Sequence, residues 1–379
     1  MKYMGGKTSF LSGALGQTIK RQLVGRERFV DLFSGSAAVS HYVAERFALP
    51  VLACDLQEYG RVLSASLIER TEPVSLEWLR EHWIRPAEAQ LRRDGRYRAW
   101  KRFDDATSAP LVHEARAVCE TECDGGELLL RAYGGHYFSP RQALVLQVLR
   151  DGLPESRREV ALASLIRSAS RCAASPGHTA QPFQPTEALL PHIGLAWRRD
   201  VLVEVERPTI LMGERHALVR GEAIVEDASQ LAGALRDSDL VFLDPPYSDV
   251  HYSRFYHVLE AVAIGGYSDV YGAGRAPKAE LRARSRFSLK SQAQAALVEL
   301  IEKIVASDSC VILTVPDHDT TNGLSAATII SEFEGRTRVE YVMCPHRHST
   351  LGGSSGGRTG RRSVNEAVVT IGAQRRSAE

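Results

Sequence analysis

The sequence predicts an α/β fold, a doubly wound sheet of nucleotide-binding type with a mostly helical insertion. Three observations carry this reading. Residues 29–33 (FVDLF) form an apolar run that passes through Ser34-Gly35-Ser36-Ala37 into a helical stretch ending near Phe47. Residues 51–55 (VLACD) form a second run, closed by the carboxylate of Asp55. Residues 240–244 (LVFLD) form a third, stopped by Pro245 and Pro246. Strand, small-residue loop and helix open such folds, because a helix N-terminus offers free N–H groups to a ligand. An acid about twenty residues after the loop glycine is placed to hold ribose hydroxyls. GxGxxG is absent, so Asp55 rather than the glycine loop argues for a nucleoside-containing cofactor.

Along the chain, Lys2-Tyr3-Met4-Gly5-Gly6-Lys7 is a tight glycine turn at which backbone can approach a ligand closely. A helical pattern follows to about Val24, then the two strands above. From residue 76 to 191 the texture changes. Segments 76–93, 140–149 and 159–170 have helical periodicity, and loops fall at 121–126, 133–137 and 173–185. No strand–helix alternation is visible there, so the chain divides into 1–75, a helical insertion 76–191, and 192–379. Strand–helix texture is expected to resume near Val201, with a short strand at 223–225 ending in Glu226-Asp227. A helix at 258–264, a polar loop at 265–286 and an amphipathic helix through Ala293, Leu297, Leu300, Ile301 and Ile304 follow. A strand at 310–315 comes next, and 338–343 with 367–371 read as a terminal hairpin. The connection 346–362 is rich in Gly, Ser and Arg and long for a hairpin.

Composition narrows the function. The 379 residues are 44% hydrophobic and 25% charged, ordinary for a globular protein with a large core. A net charge of +1 supplies no global field for nucleic acid, so any basic surface must be local. The six cysteines include no CxxC pair, as expected of buried thiols in a reducing cytoplasm. Cys344, His346 and His348 lack a matching distal pair, and no metal is expected. No apolar run approaches the roughly 18 residues of a membrane span, and the N-terminus lacks a signal peptide's apolar core. A cytoplasmic protein without a membrane partner is expected.

The stretch 240–256 (LVFLDPPYSDVHYSRFY) is the chemical centre of the sequence. Proline cannot feed a sheet ladder, so Asp244 and the carbonyls after it are held at the C-terminal edge of the sheet, where α/β folds bind ligands. Tyr247 adds a flat apolar face with a polar tip. Carboxylate, rigid carbonyl and aromatic plate suit a planar exocyclic amine.

Together, KYMGGK, DLFSGSA, the acids Asp55 and Asp227, DPPY and the terminal GGRTGRRSVNEAVV resemble the Dam-like, alpha-group N6-adenine DNA methyltransferases. The resemblance covers both ends of the chain and, loosely, the insertion through YGGHYFSPRQA. It implies a Rossmann-like class I methyltransferase fold in which the helical insertion is a target-recognition domain. It also implies S-adenosylmethionine as cofactor, bound by Tyr3, Lys7, Phe33, Gly35, Asp55, Asp227 and Asp244. Asp244, Pro245, Pro246 and Tyr247 are then catalytic: Asp244 and the Pro245 carbonyl accept the amine protons while Tyr247 stacks on a flipped base. Duplex DNA is the implied partner, with Arg347, Arg358, Arg361 and Arg362 as candidate phosphate contacts, and a cognate restriction endonuclease or defence system is compatible with it. One departure stands out, because the family's second loop glycine is Ala37 here. N4-cytosine methylation, RNA adenine methylation and non-catalytic DNA binding remain as alternatives. A cytosine-C5 enzyme does not fit, since the only Pro/Cys neighbours, Cys344-Pro345, are in the wrong order for its nucleophile.

Overall fold

A computed structural model describes the backbone of residues 7–349 and 361–372 and the side chains of 7–345 and 365–372. Its strands are β1 (Arg28–Asp31), β2 (Val51–Asp55), β3 (Glu222–Val225), β4 (Asp239–Leu243), β5 (Cys310–Pro316), β6 (Arg338–Ser349) and β7 (Arg361–Gly372). They form one sheet in the order β3-β2-β1-β4-β5-β7-β6. The pairings among β1 to β5 are parallel, and β7 runs antiparallel between β5 and β6. A mostly parallel sheet needs both faces covered, and its strands are correspondingly apolar throughout.

Among the helices, α1 (Thr8–Leu11), α2 (Ala14–Gln22), α3 (Ala38–Arg46) and α4 (Glu58–Ile68) precede α5 (Ala109–Thr121), α6 (Pro140–Asp151), α7 (Arg158–Cys172) and α8 (Val201–Gly213). α9 (His257–Ile264), α10 (Ala293–Ala306) and α11 (Ala326–Phe333) follow. One sheet face buries Phe29, Ala53, Phe242, Ile312 and Val368 against Leu15, Ile19, Val39 and Val43 of α2 and α3. The other buries Val30, Leu243, Leu313 and Val369 against Leu297, Ile301 and Ile304 of α10 and Ile329 of α11. Because strand side chains alternate between faces, Asp31, Asp55, Thr314 and Glu366 fall on the first of these, two residues along from Phe29, Ala53, Ile312 and Val368. Four polar side chains thus collect at one edge of one face without any local motif announcing it.

The chain forms two compact units, whose described residues are 7–71, 217–252, 283–349 and 361–372 for one and 72–216 and 253–282 for the other. The first contains the sheet. The second is helical, with Trp83, Trp100, Trp197, Tyr133, Tyr137, Phe103 and Phe138 wholly buried. Its YGGHYFSPRQA stretch has a structural explanation. Ser139 caps α6 in a reciprocal capping box with Gln142, with Pro140 in the first turn. Gly135, at φ 72°, lies so close to α5 that a Cβ there would come within 2.6 Å of the Arg116 backbone nitrogen. The Tyr137 hydroxyl lies 2.7 and 2.8 Å from the carbonyls of Thr179 and Gly274, donating its one proton to either in turn, and so ties the later loops to this turn.

Three sequence expectations change. The run from Val201 is helix α8 of the helical unit, its apolar residues set at helical spacing with Val201, Val205, Pro208 and Met212 buried; strand texture resumes only at β3. β1 ends at Asp31, two residues before Phe33, because Leu32 and Phe33 already turn into the loop. The hairpin connection is shorter than 346–362, since β6 runs to Ser349 and β7 starts at Arg361.

Candidate active site

The Ser34–Ala37 loop is built by carboxylates from beneath. Asp31, 1% exposed, accepts from Ser40 Oγ at 2.6 Å and from Phe33 N–H at 3.4 Å. Asp55 Oδ2 accepts from Gly35 N–H at 2.8 Å and its Oδ1 from Gln57 N–H at 2.9 Å. Gly60 makes room for this, since a Cβ on it would stand 2.6 Å from the Asp55 carboxyl carbon. Burial raises the Asp31 carboxyl to about 7 against the pull of its hydrogen bonds, with Asp244 and Asp55 adding to the rise. Burial likewise raises Asp55 to about 6, opposed by the backbone donors. The loop is therefore lined by acid groups that a cation would stabilise.

At the end of β4 the DPPY turn is held from β5 and from residues 320–324. Three donors converge on one oxygen of Asp244: Lys7 Nζ at 2.9 Å, Thr314 Oγ1 at 2.9 Å and the Tyr247 hydroxyl at 2.5 Å. The phenol also lies 2.5 Å from the Thr314 carbonyl, and with one proton it serves one acceptor at a time. Asn322, fully buried, donates to the carbonyls of Pro246 and Phe287 at 2.6 and 2.7 Å, which fixes the turn. The Asp244 side chain is 19% exposed, so its second oxygen is the one left for a ligand. Burial raises the Asp244 carboxyl, Lys7 lowers it, and Glu366 raises it again.

Lys7 is 3% exposed and also pairs with Glu366 Oε1 at 2.9 Å. Burial alone lowers a lysine, but here the two carboxylates outweigh it and hold the ammonium above its ordinary value. Its Nζ stands 5.3 Å from the centroid of the Tyr247 ring.

The other expected site residues distribute as follows. Phe33 packs edge-on to Phe287, with ring centroids 5.0 Å apart. Asp227 caps the short helix Ala228–Leu231, accepting from Ser229 N–H at 2.8 Å. Lys7, Gly35, Asp55 and Asp244 lie in the same unit at the C-terminal ends of β1, β2 and β4, while Asp227 follows β3. Tyr3 and Arg358 lie outside the described residues. Arg347, Arg361 and Arg362 have their backbone in the β6–β7 ladder, and their side chains lie outside the described set. Among the described residues, no His, Cys, Asp and Glu group could hold a metal.

Sequence reasoning missed Asp31, Thr314, Asn322 and Glu366 as site residues. Asp31 stood inside the quoted DLF motif. Glu366 stood inside the quoted GGRTGRRSVNEAVV stretch, whereas Thr314 on β5 and Asn322 in the loop after it have no local pattern to mark them.

Residues 3–91 match the family model of the D12 class N6 adenine-specific DNA methyltransferases. The match lies over the DLFSGSA and Asp55 stretches, and it is to the kind of enzyme that the motifs resemble. Modification methylase LlaI of Lactococcus lactis subsp. lactis is 23% identical over 318 residues, 80% of this chain and 44% of that protein. Modification methylase StsI of Streptococcus sanguinis is 22% identical over 354 residues, 92% of this chain and 48% of that protein. Type II methyltransferase M.FokI of Planomicrobium okeanokoites is 31% identical over 108 residues, 28% of this chain and 16% of that protein. The chain thus spans less than half the length of the curated relatives it matches.

Proposed function

We propose that this chain is a site-specific DNA methyltransferase that transfers a methyl group from S-adenosylmethionine to the N6 amine of a flipped adenine in duplex DNA, on a Rossmann-like class I methyltransferase fold. The observation that carries the reading is the clamping of one Asp244 oxygen by Lys7, Thr314 and Tyr247, with the other oxygen left for a ligand. An adenine amine is a poor nucleophile because its lone pair is delocalised into the ring. Asp244 Oδ2 and the Pro245 carbonyl accept the two N–H bonds, localise the lone pair and aim it, so that positioning and electrostatics supply the rate. S-adenosylmethionine, when bound, supplies an electrophilic methyl on a cationic sulfur. The residues present fit such a group: Asp31, Asp55, Asp244 and Glu366 on one sheet face outnumber Lys7, and burial raises the first three. Gly35, Phe33, Asp55, Asp227 and the Tyr3 turn would hold it, whereas Lys7 is engaged on the amine side. Tyr247 would flank the flipped base.

The helical unit is assigned the choice of target sequence. A cognate restriction endonuclease or defence system is the natural counterpart of a cytoplasmic enzyme of this kind, in keeping with relatives named modification methylases.

The test is transfer of labelled methyl from S-adenosylmethionine to duplex DNA, with N6-methyladenine as the expected product. N4-methylcytosine alone, or label on RNA alone, overturns the reading. Asp244→Ala should lower turnover by at least ~100-fold, comparable to removing one preorganised polar group, with cofactor affinity kept. Asp55→Ala should weaken cofactor binding first, because it releases Gly35. Equal loss of cofactor in both variants would overturn this division of roles.

A further inference from the structure

We propose that Glu366 is a positioning residue for methyl transfer, acting on Asp244 through Lys7. The inference rests on the methyltransferase reading above and assigns a role to a side chain near the opposite end of the sequence from the Lys7 it grips.

The three groups come from separate parts of the sheet unit. Lys7 precedes α1, Asp244 follows β4, and Glu366 lies on β7 opposite Pro316 of β5 and Cys344 of β6. The Lys7 ammonium stands 2.9 Å from Asp244 Oδ1 and 2.9 Å from Glu366 Oε1. Glu366 is wholly buried and Lys7 nearly so, which makes the cation a bridge between two carboxylates rather than the partner of one.

Two consequences follow. The first is geometric: the ammonium stands 2.9 Å from both carboxylates at once, and its ion pair with Glu366 on the sheet fixes where it sits beside Asp244 Oδ1. That pins the carboxylate so its second oxygen faces the amine. The second is electrostatic. A buried ammonium paired with Asp244 alone would neutralise it and weaken it as an acceptor for the adenine N–H bonds. Sharing the ammonium with Glu366 leaves the trio with a net negative charge, so Asp244 Oδ2 keeps its pull on the amine protons. Glu366 does this without touching the substrate.

The experiment is a double-mutant cycle on steady-state methylation by the full chain, using Glu366→Gln, Lys7→Met and the pair. Glu366→Gln should lower kcat roughly 10- to 100-fold, within the range seen when a preorganised polar group is disturbed. KM for DNA and S-adenosylmethionine, cofactor affinity by calorimetry, and the melting temperature should stay near wild type. A residue important only to folding would move the melting temperature instead. In the Lys7→Met background, adding Glu366→Gln should lower kcat by no more than about 2-fold, because the path through Lys7 is already cut. Equal factors in both backgrounds, or a wild-type kcat for Glu366→Gln, overturns the proposal. Should Glu366→Gln not fold, Glu366→Asp keeps the charge but shortens its reach; a lowered kcat is expected, and a wild-type kcat overturns the proposal. A wild-type protein that places no methyl on adenine defeats the underlying reading. Labelled adenine with an unchanged Glu366→Gln rate defeats this inference alone.

Discussion

At the scale of single residues, Ala37 is the non-glycine residue of the Ser34–Ala37 loop held at positive φ. It sits at φ 64° and ψ 16° immediately before α3, wholly buried, in the left-handed region that a Cβ disfavours by roughly 1–2 kcal/mol. Hydrogen bonds hold it there: its N–H donates to the Ser34 carbonyl at 2.7 Å, and His41 N–H donates to its carbonyl at 2.9 Å. Glycine has no such penalty but loses more freedom on folding, so the net gain of Ala37→Gly is about 1 kcal/mol. The melting temperature should rise by roughly 1 °C, measured by calorimetry on the ligand-free protein. An unchanged or lower value would show that the alanine is unstrained. The motif comparison marked Ala37 as a departure, but only the backbone angle says what it costs. Asp55 was legible for a similar reason, because an acid closing an apolar run is a local signal. Asn322 and Glu366 were not, because each derives its role from strands and loops tens of residues away in sequence.

At the scale of elements, the sequence of 76–191 lacks strand–helix alternation, and the structure gathers 72–216 and 253–282 into one helical unit. Residues 201–213 carry enough Val, Ile and Leu to pass for strand texture, and only their burial on α7 identifies them as helix. Buried Thr209 of α8 donates to Ser164 of α7 at 3.1 Å, and Arg80 pairs with Glu206 at 2.7 Å. Residues 253–282 join the same unit through Arg275, which donates to the carbonyls of Ala132 and Arg131 at 2.9 and 3.0 Å, and through Arg150, which caps the end of α9. An exchange that moves only 76–191 would cut these contacts. Exchanging 72–216 together with 253–282 for the matching parts of a relative with another target should yield a folded enzyme whose methylated sequence follows the insert. Sequencing of methylated bases reads the outcome. A folded, active chimera that keeps the original site would remove target choice from this unit.

At the scale of the whole molecule, the question is how a protein of net charge +1 would hold the DNA proposed as its substrate. Much of its arginine is already committed within the fold. Arg28 pairs with Asp239, Arg96 with Asp94 and Glu127, Arg141 with Asp104, Arg286 with Glu299, and Arg336 with Glu332. Charge for phosphate must therefore come from elsewhere, and Arg347, Arg358, Arg361 and Arg362 gather four guanidinium groups in a stretch otherwise rich in Gly and Ser. The β6–β7 register sets His348 opposite Arg362 and Ser349 opposite Arg361, which brings the backbones of Arg347, Arg361 and Arg362 to the same end of the hairpin. Each phosphate neutralised releases counterions, and log K falls with log salt by roughly 0.9 per contact. Replacing Arg358, Arg361 and Arg362 with Ala should weaken DNA binding and flatten that slope by up to about 2–3 units. Cofactor affinity should not change, because the acids that line the Gly35 loop belong to β1 and β2. A salt titration of DNA affinity for wild type and the triple variant decides the matter, and identical slopes would take the phosphate contacts away from this hairpin.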